Sequence, residues 1–219
     1  MVALYIFLLV PEYLLRFIAW LLSHFVYRFN VQGDEHIPLT GPAVLVCNHV
    51  SFVDAILLMA ASPRPVRFVM DQRIFAVPVL GALFGLAKAI PIASQKDDPA
   101  VYAAAFEAAA QVLREGDLLA IFPEGGLTTD GQLQPFKGGI MKILKRAQQD
   151  GLTVSVVPMA LTNLWGSFFS RVEQGRAMVR PFRRGVGNRV GLRVGPALPA
   201  AAVQPEILQL RVAALLQVA

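Results

Sequence analysis

One stretch decides the fold of this chain: Pro42-Ala43-Val44-Leu45-Val46-Cys47-Asn48-His49-Val50-Ser51-Phe52-Val53-Asp54. Its first six residues form a short apolar, β-branched run, which predicts a buried strand. The chain from Phe52 to Ala61 is apolar and rich in alanine until Ser62-Pro63, which predicts a buried helix that proline ends. His49 therefore falls in the turn between a strand and a helix.

The spacing between His49 and Asp54 suits general base chemistry. If Ser51 is the N-cap, Asp54 is the third helical residue, and its side chain reaches back over the helix end. A carboxylate there can accept an N–H of the His49 imidazole and hold the other ring nitrogen outward as a base. The Ser-x-x-Asp spacing is also an ordinary capping pattern, and a histidine in a turn usually has a structural role, so this stretch alone favours the structural interpretation.

The composition points to a lipid-facing protein of one domain's size. Of the 219 residues, 55% are hydrophobic and only 16% are charged, whereas soluble domains average about 25% charged residues. Some of the apolar surplus is therefore expected to face lipid. A chain of this length can also bury a substantial core.

The positive charge is concentrated late in the chain. Residues 1–136 carry 8 Lys/Arg against 12 Asp/Glu, and residues 137–193 carry 11 against 2. A basic second half on an apolar protein suits anionic headgroups or an acidic carrier protein. Nucleic acid is the rival partner, but the sequence has no aromatic-interleaved RNA motif or zinc-finger spacing, so we expect none.

The cysteine count limits the possible chemistry. Cys47 is the single cysteine, so an internal disulfide and a multi-cysteine metal site are excluded. Its place at the end of an apolar strand predicts a buried thiol rather than a nucleophile. We expect neither a metal site nor a bound cofactor.

The first 29 residues are predicted to form a membrane-associating helical segment, followed by a domain over 30–219. Pro11 and scattered polar residues interrupt the apolar run, and no stretch reaches the roughly 18 apolar residues that a spanning helix needs. From Pro11 onward the polar residues follow one side of a helix and a broad apolar arc covers the rest. This pattern favours a helical hairpin or a helix lying in the membrane interface over a spanning helix, with a helix that only packs against the domain as the alternative.

Strands and helices alternate along the rest of the chain. Further strands are predicted at Phe29–Gly33, Val66–Met70, Ile90–Ile92, Leu118–Phe122, Val154–Val157, Ala177–Phe182 and Arg189–Val194. Helices are predicted at Val77–Lys88, Asp98–Glu115, Lys137–Gln149 and Pro205–Val218. Asp98 is the expected N-cap of its helix, Pro99 its first residue and Gly116 its stop. The alternation predicts an α/β fold, with a largely parallel central sheet flanked by helices.

A second constellation follows the strand that ends near Phe122. Glu124, Gly125 and Gly126 form a polar turn, and Lys137 opens the next predicted helix. Glycines permit close backbone approach, and helix-start N–H groups can receive an anion. Glu124 can bind a hydroxyl or a cationic headgroup, and Lys137 can meet a phosphate. An ordinary surface loop with a helix entry explains the same residues, so this site is a hypothesis.

The ordered set of motifs resembles the glycerophospholipid acyltransferase family. The matching stretches are Asn48-His49-x-x-x-x-Asp54, Phe122-Pro123-Glu124-Gly125, Pro135-Phe136-Lys137-x-Gly139 and Val156-Val157-Pro158. The family includes 1-acylglycerol-3-phosphate acyltransferases. The stretch Phe122–Leu144 and the stretch Asn163–Ser170 look most similar to the acyltransferase portion of bacterial 2-acylglycerophosphoethanolamine acyltransferases.

The resemblance implies roles for these residues. His49 is then the general base, Asp54 its orienting partner, and the acceptor-binding residues are Glu124, Gly125, Gly126 and Lys137, with Pro158 shaping the site. Leu127 replaces the arginine that binds phosphate in the family's third motif, and Ile90-Pro91-Ile92-Ala93-Ser94 lacks the usual basic residue. These departures favour a lysophospholipid with a capped phosphate over a bare phosphomonoester.

The expected function is therefore transfer of a fatty acyl group from an acyl carrier protein or coenzyme A thioester to a lysophospholipid hydroxyl, at the cytoplasmic face of the cell membrane. The absence of a Gly-x-Ser-x-Gly motif disfavours a serine hydrolase. Two alternatives remain open: a thioesterase in which His49 activates water, and a non-catalytic lipid- or carrier-binding module.

Overall fold

The computed structural model describes residues 11–78, 80–167, 172–173, 176–177 and 187–217. The helices among them are α1 (Pro11–Val26), α2 (Asp54–Ala61), α3 (Leu80–Leu86), α4 (Pro99–Arg114), α5 (Gly139–Gln149) and α6 (Pro205–Gln217). The strands are β1 (Tyr27–Gln32), β2 (Ala43–Cys47), β3 (Val66–Asp71), β4 (Ile90–Ile92), β5 (Leu118–Ile121), β6 (Ser155–Thr162), β7 (Val172–Glu173), β8 (Arg176–Ala177), β9 (Asn188–Val194) and β10 (Leu198–Pro199).

The main sheet runs in the order β1-β9-β6-β2-β5-β3-β4, and β10 adds to β6. Strand β2 is parallel to both of its neighbours, β3 is parallel to β5 and β4, and β1 is parallel to β9. Only the contacts of β6 with β9 and with β10 are antiparallel within this described sheet. The predicted α/β fold with a largely parallel sheet is confirmed.

Strand β2 lies at the centre because both of its faces are apolar. Its five residues are fully buried. Ala43, Leu45 and Cys47 pack into one core cluster together with α2, whereas Val44 and Val46 pack into a second cluster with α4, α5 and α6. Burial on both faces is typical of parallel strands covered by helices. The end of β2, where His49 follows, is therefore held rigidly.

The predicted boundaries of α4 are confirmed. Asp98 accepts the N–H of Val101 at 3.0 Å, Pro99 is the first helical residue, and Gly116 adopts a φ of 78° just after the helix. The predicted start of α2 was wrong. That helix begins at Asp54, preceded by Val53, and Ser51 is not its cap. The Asp54 carboxylate instead receives the N–H groups of the preceding turn, which keeps residues 51–53 outside the helix.

The strand predicted over Val154–Val157 is longer than expected, because it continues through Pro158. Strand β6 continues to Thr162. Along the edge that meets β9 and β10, pairing with β10 ends at Val156 and pairing with β9 begins at Met159. Pro158 lies between these two paired segments. No strand–strand hydrogen bond there requires the backbone N–H that proline lacks. Of the late strands, β9 is confirmed, whereas residues 178–182 of the other lie outside the described part of the chain.

Helix α1 packs a narrow face of mixed polar and apolar residues against the domain and leaves a broad apolar arc exposed. Leu15, Ala19 and Ser23 are buried, and Glu12 forms an ion pair with Lys88 at 2.6 Å. The large apolar side chains that remain exposed on this helix are Tyr13, Phe17, Ile18, Trp20, Leu21, Leu22 and Phe25. No helix in the described part of the chain is long and apolar enough to cross a membrane. The predicted helix is confirmed over Pro11–Val26, whereas residues 1–10 of the predicted segment lie outside the described part of the chain. The predicted helical end at residue 29 was wrong, because strand β1 begins at Tyr27. Attachment of α1 to membranes stays a prediction.

Candidate active site

His49 and Asp54 form a hydrogen-bonded pair at the carboxyl end of β2. The distance from His49 Nδ1 to Asp54 Oδ2 is 2.8 Å. The same carboxylate oxygen accepts the N–H of Val50 at 2.7 Å and that of Ser51 at 3.0 Å. An oxygen that already accepts two N–H donors takes its third hydrogen bond from Nδ1–H, which assigns the tautomer. Nε2 is then the unprotonated nitrogen, and no described group bonds to it.

The Asp54 carboxylate is shielded from bulk solvent. Its side chain is fully buried, and its second oxygen, Oδ1, has no hydrogen-bond partner within the described residues. Burial raises the pKa of the Asp54 carboxyl, while hydrogen bonds from His49, Ser51 and Val50 act in the opposite direction. A buried carboxylate binds the imidazole more strongly than an exposed one, because solvent does not compete for its charge.

Phe122 fixes the plane of the imidazole, a contact that the sequence motifs did not predict. The two rings are stacked with centroids 4.2 Å apart and an interplanar angle of 15°. The His49 side chain keeps 23% of its surface exposed. One edge of the ring therefore bonds Asp54, one face covers Phe122, and the remaining edge is accessible to a substrate.

Glu124 connects the His49–Asp54 pair to the predicted acceptor-binding loop through hydrogen bonds to backbone N–H groups. Its Oε1 accepts the N–H of His49 at 2.6 Å, and its Oε2 accepts the N–H of Gln134 at 2.8 Å. The side chain is buried, and burial raises its pKa. In this structure Glu124 holds the His49 turn against the loop after β5. Contact between Glu124 and an acceptor stays a prediction.

The glycine turn after Glu124 is also tied to Lys137. Gly125 has a φ of 66°, and a Cβ atom there would lie 2.5 Å from Lys137 Nζ. The Lys137 backbone N–H donates to the carbonyl of Pro123 at 2.9 Å. Gly125, Gly126 and Lys137 are all exposed. Lys137 precedes α5, which begins at Gly139 rather than at Lys137 as predicted.

Two further contacts, which the motifs did not predict, fix the catalytic turn. The buried Asn48 amide donates to the Leu161 carbonyl at 3.1 Å and accepts the Leu161 N–H at 2.8 Å, so it joins β2 to β6. The Thr128 N–H donates to the His49 carbonyl at 3.0 Å. An asparagine that directly follows a buried strand is the only signal for the first contact. The contact between Thr128 and His49 depends on how the loop after β5 folds back onto the catalytic turn, which the sequence does not indicate.

Cys47 takes no part in this site. Its side chain is fully buried, and burial raises the pKa of the thiol well above its ordinary value, so it stays protonated at neutral pH. No group of three His, Cys, Asp or Glu side chains in the described part of the chain is arranged to hold a metal ion.

The family model for acyltransferases matches residues 28–162, which include every predicted site residue. This chain belongs to the acyltransferase family. The motif resemblance found in the sequence is thereby confirmed, and the paired His49 and Asp54 lie within the matched part.

Several curated relatives are named 1-acyl-sn-glycerol-3-phosphate acyltransferase. The chloroplastic protein of Arabidopsis thaliana is 31% identical over 136 residues, covering 62% of this chain and 36% of that protein. The alpha protein of Ovis aries is 26% identical over 196 residues, covering 88% of this chain and 63% of that protein. The matched region is thus less than two thirds of each relative's own length.

A solved structure supports the fold. The crystal structure of the 1-acyl-sn-glycerophosphate acyltransferase PlsC from Thermotoga maritima superposes with a TM-score of 0.60 and covers 86% of this chain and 69% of that chain. At 20% sequence identity this similarity concerns the fold alone. It agrees with the mostly parallel sheet described above.

Proposed function

We propose that this protein is an O-acyltransferase that moves a fatty acyl group from a carrier thioester to the free hydroxyl of a lysophospholipid. The observation that carries the proposal is the 2.8 Å hydrogen bond between His49 Nδ1 and Asp54, which leaves Nε2 accessible in a family of acyltransferases. The names of the relatives support a lysophospholipid-type acceptor.

The chemistry needs only one base. A thioester is already an activated acyl donor, so His49 Nε2 removes the acceptor's hydroxyl proton while the oxygen attacks the carbonyl carbon. Asp54 then stabilises the imidazolium that forms. Collapse of the tetrahedral intermediate expels the thiolate, which takes a proton back. The developing oxyanion requires fixed N–H donors. The Gly125 N–H already donates to the Phe122 carbonyl at 3.0 Å, so the donor we propose on this loop is the N–H of the exposed Gly126.

The acceptor we propose is lysophosphatidylethanolamine-like, with 1-acylglycerol-3-phosphate as the competitor that the relatives' names suggest. The proposal depends on Leu127, which stands where the family's phosphate-binding arginine is expected. Both oxygens of Glu124 accept backbone N–H groups, so a contact with an ethanolamine ammonium would be added to these bonds. Lys137 is the exposed cation beside this loop and the proposed phosphate contact.

We place the protein on the cytoplasmic face of the cell membrane, attached in the plane of the bilayer by α1. The exposed apolar arc of α1 supports this, because seven large apolar side chains face away from the domain while Glu12 and Ser23 pack inward. Such an arrangement is typical of an interfacial helix. A lipid acceptor would then reach His49 without leaving the membrane.

The test is product analysis by mass spectrometry with purified protein, an acyl thioester and a panel of lysophospholipids. The wild type is expected to form diacyl product, and the His49→Ala variant none. Acyl release without any acceptor would favour the thioesterase alternative. The absence of both product and release from folded wild-type protein would contradict an enzymatic role.

A further inference from the structure

The loop after β5 holds an exposed carboxylate in a fixed position relative to the catalytic turn. The buried Thr128 donates its backbone N–H to the His49 carbonyl at 3.0 Å, and its hydroxyl donates to Asp130 Oδ1 at 2.9 Å. A second chain of hydrogen bonds runs through Gln134, whose N–H donates to Glu124 and whose side-chain amide donates to Asp130 Oδ1 at 3.2 Å. Two separate routes therefore connect the Asp130 carboxylate to the turn that carries the catalytic histidine.

One oxygen of Asp130 stays available to a ligand. The Gln132 backbone N–H donates to Oδ1 at 2.9 Å, the same oxygen that the Thr128 hydroxyl and the Gln134 amide reach. Gln132 contributes only its backbone to this contact. The Gln132 N–H and the Thr128 hydroxyl hold the pKa of Asp130 below its ordinary value, so this exposed group is ionised at neutral pH. No ion pair within the described residues neutralises its charge.

Trp165 packs against the glycine that follows this carboxylate. Gly131 has a φ of 82°, and a Cβ atom there would lie 2.5 Å from Cδ1 and 2.8 Å from Nε1 of the indole. The five-membered ring of Trp165 therefore lies directly against the Gly131 backbone, one residue away from Asp130. The indole is half-buried, and no other ring or cation of the described part of the chain stacks on it. Part of its surface is open to a ligand.

The turn that carries Trp165 is anchored in the core beside the catalytic turn. Leu164 is fully buried, and Asn163 before it has a φ of 60°, in the left-handed region that asparagine tolerates. Leu161, near the end of β6, makes two hydrogen bonds to the amide of Asn48, the residue before the catalytic histidine. The loops after β5 and β6 thus both contact the catalytic turn, and they contact each other where the indole covers the glycine.

We propose that Asp130 and Trp165 together bind the ammonium group of the acceptor headgroup, while Lys137 contacts its phosphate. A carboxylate and an aromatic face are two groups that attract a compact cation. Lys137 lies against Gly125 in the same loop, which therefore offers one negative and one positive group to a headgroup that carries both charges. Glu124 is less suited to the ammonium, because both of its oxygens accept backbone N–H groups. This inference rests on the proposed acyltransferase function and identifies residues that select its acceptor.

The same carboxylate disfavours acceptors that lack an ammonium group. A phosphomonoester brings about two negative charges near neutral pH to a loop that already carries Asp130, and repulsion between like charges is a source of specificity. A phosphoglycerol headgroup has a negative charge and no cation, so neither Asp130 nor Trp165 attracts it. Lysophosphatidic acid and lysophosphatidylglycerol are therefore the two informative competitors of lysophosphatidylethanolamine.

The kinetic test compares these three lysophospholipids with one acyl chain, at fixed donor and detergent. Asp130→Asn keeps an oxygen for the hydrogen bonds of the loop and removes the charge, so KM for lysophosphatidylethanolamine is expected to rise about tenfold or more with little change in kcat. KM for lysophosphatidylglycerol should stay unchanged, and KM for lysophosphatidic acid should fall. Trp165→Leu keeps an apolar side chain and should raise only the first KM. Asp34→Asn is the matched control, because this exposed carboxylate follows β1, three strands away from β2.

The outcomes separate this inference from the proposed function. An equal effect of Asp130→Asn on all three acceptors would assign the residue to the structure of the loop alone and overturn the inference. A wild type that uses lysophosphatidylethanolamine and lysophosphatidylglycerol equally well would also overturn it. Thermal unfolding checks that the variants fold. Absence of product with every acceptor would instead contradict the acyltransferase proposal itself.

Fluorescence tests the same contact without catalysis. The chain has two tryptophans, so Trp20→Phe leaves Trp165 as the single indole emitter. Lysophosphatidylethanolamine below its micelle concentration is expected to change the Trp165 emission, and lysophosphatidylglycerol to leave it nearly unchanged. Adding Asp130→Asn to this variant should remove the response. No response to either lipid, or an equal response to both, overturns the ammonium site.

Discussion

The buried carboxylate of Glu124 accepts the backbone N–H of His49 at 2.6 Å, although the two residues are 75 positions apart in the chain. Its other oxygen holds the N–H of Gln134. The position of the His49 backbone is therefore set by the loop after β5, and that of its ring by Asp54 and Phe122. Glu124 acts as a positioning residue in this arrangement.

Replacing Glu124 with glutamine should disturb this arrangement. An amide has one acceptor oxygen, so either His49 or Gln134 would face an NH₂ group, and an unsatisfied buried N–H costs about 1–3 kcal/mol. We expect a lower free energy of unfolding by urea and a lower kcat. Gln134→Ala is the matched control, because it keeps the backbone N–H that Glu124 accepts. An unchanged stability and kcat in Glu124→Gln would contradict the role assigned here.

The pair of His49 and Asp54 should behave as one unit. We expect His49→Ala to abolish transfer, and Asp54→Asn to lower kcat by roughly two or more orders of magnitude, the scale of positioned general-base catalysis. Ser51→Ala is the control within the same turn, since the Ser51 hydroxyl accepts only a long 3.5 Å bond from Val53. The measurement is kcat at saturating substrates on variants whose thermal unfolding has been checked. If the His49→Ala variant kept the wild-type turnover rate, the result would contradict the proposed mechanism.

Local sequence patterns predicted those parts of the fold and of the site that depend on residues close together in the chain. The β2 strand, the five-residue spacing to Asp54 and the cap at Asp98 follow from composition and short spacing. The contacts of Glu124 and Asn48 span 75 and 113 positions, and sequence periodicity carries no information about such distances. The continuation of β6 through Pro158 was missed for the same reason, because it depends on a gap between two neighbouring strands.

The stability that α1 gains by packing against the domain should depend on pH through Glu12. Burial alone would raise the pKa of this carboxyl, but the hydrogen bond and charge of Lys88, with the charge of Arg67, lower it below its ordinary value. A lowered folded-state pKa contributes stability above the unfolded value of about 4.5, and this contribution is lost as the pH falls through the folded pKa. The free-energy difference between wild type and Glu12→Gln, from urea unfolding, should therefore shrink at acid pH. If this free-energy difference grew as the pH fell, the result would contradict the ion pair between Glu12 and Lys88.

The exposed arc of α1 should carry membrane attachment. We expect the triple replacement of Phe17, Leu21 and Phe25 with serine to lower co-sedimentation with phospholipid vesicles at least tenfold, because each large apolar side chain contributes roughly 1.5–3 kcal/mol when fully buried. Activity on acceptors embedded in vesicles should fall with it, while activity in detergent persists. Leu210→Ser on α6 is the control, since that side chain is 70% exposed on another helix. Unchanged sedimentation of the triple variant would show that α1 is only a packing helix.

Acceptor choice should depend on the residue at position 127. The neighbouring Thr128 N–H is bonded to the His49 carbonyl at 3.0 Å, so residue 127 lies beside the catalytic turn. A phosphomonoester carries close to two negative charges near neutral pH and favours a forked arginine donor, which Leu127 cannot supply. We therefore expect wild-type protein to prefer lysophosphatidylethanolamine over lysophosphatidic acid.

The measurement is kcat/KM for the two acceptors at fixed donor and detergent, in wild type and in Leu127→Arg. The added guanidinium should shift the preference toward lysophosphatidic acid, whereas Gln132→Arg, at an exposed position later in the same loop, should leave the ratio nearly unchanged. A wild type that prefers lysophosphatidic acid tenfold, about 1.4 kcal/mol in transition-state binding, would overturn the headgroup inference. The acyltransferase proposal would survive that result, because the His49–Asp54 pair does not depend on which headgroup the loop selects.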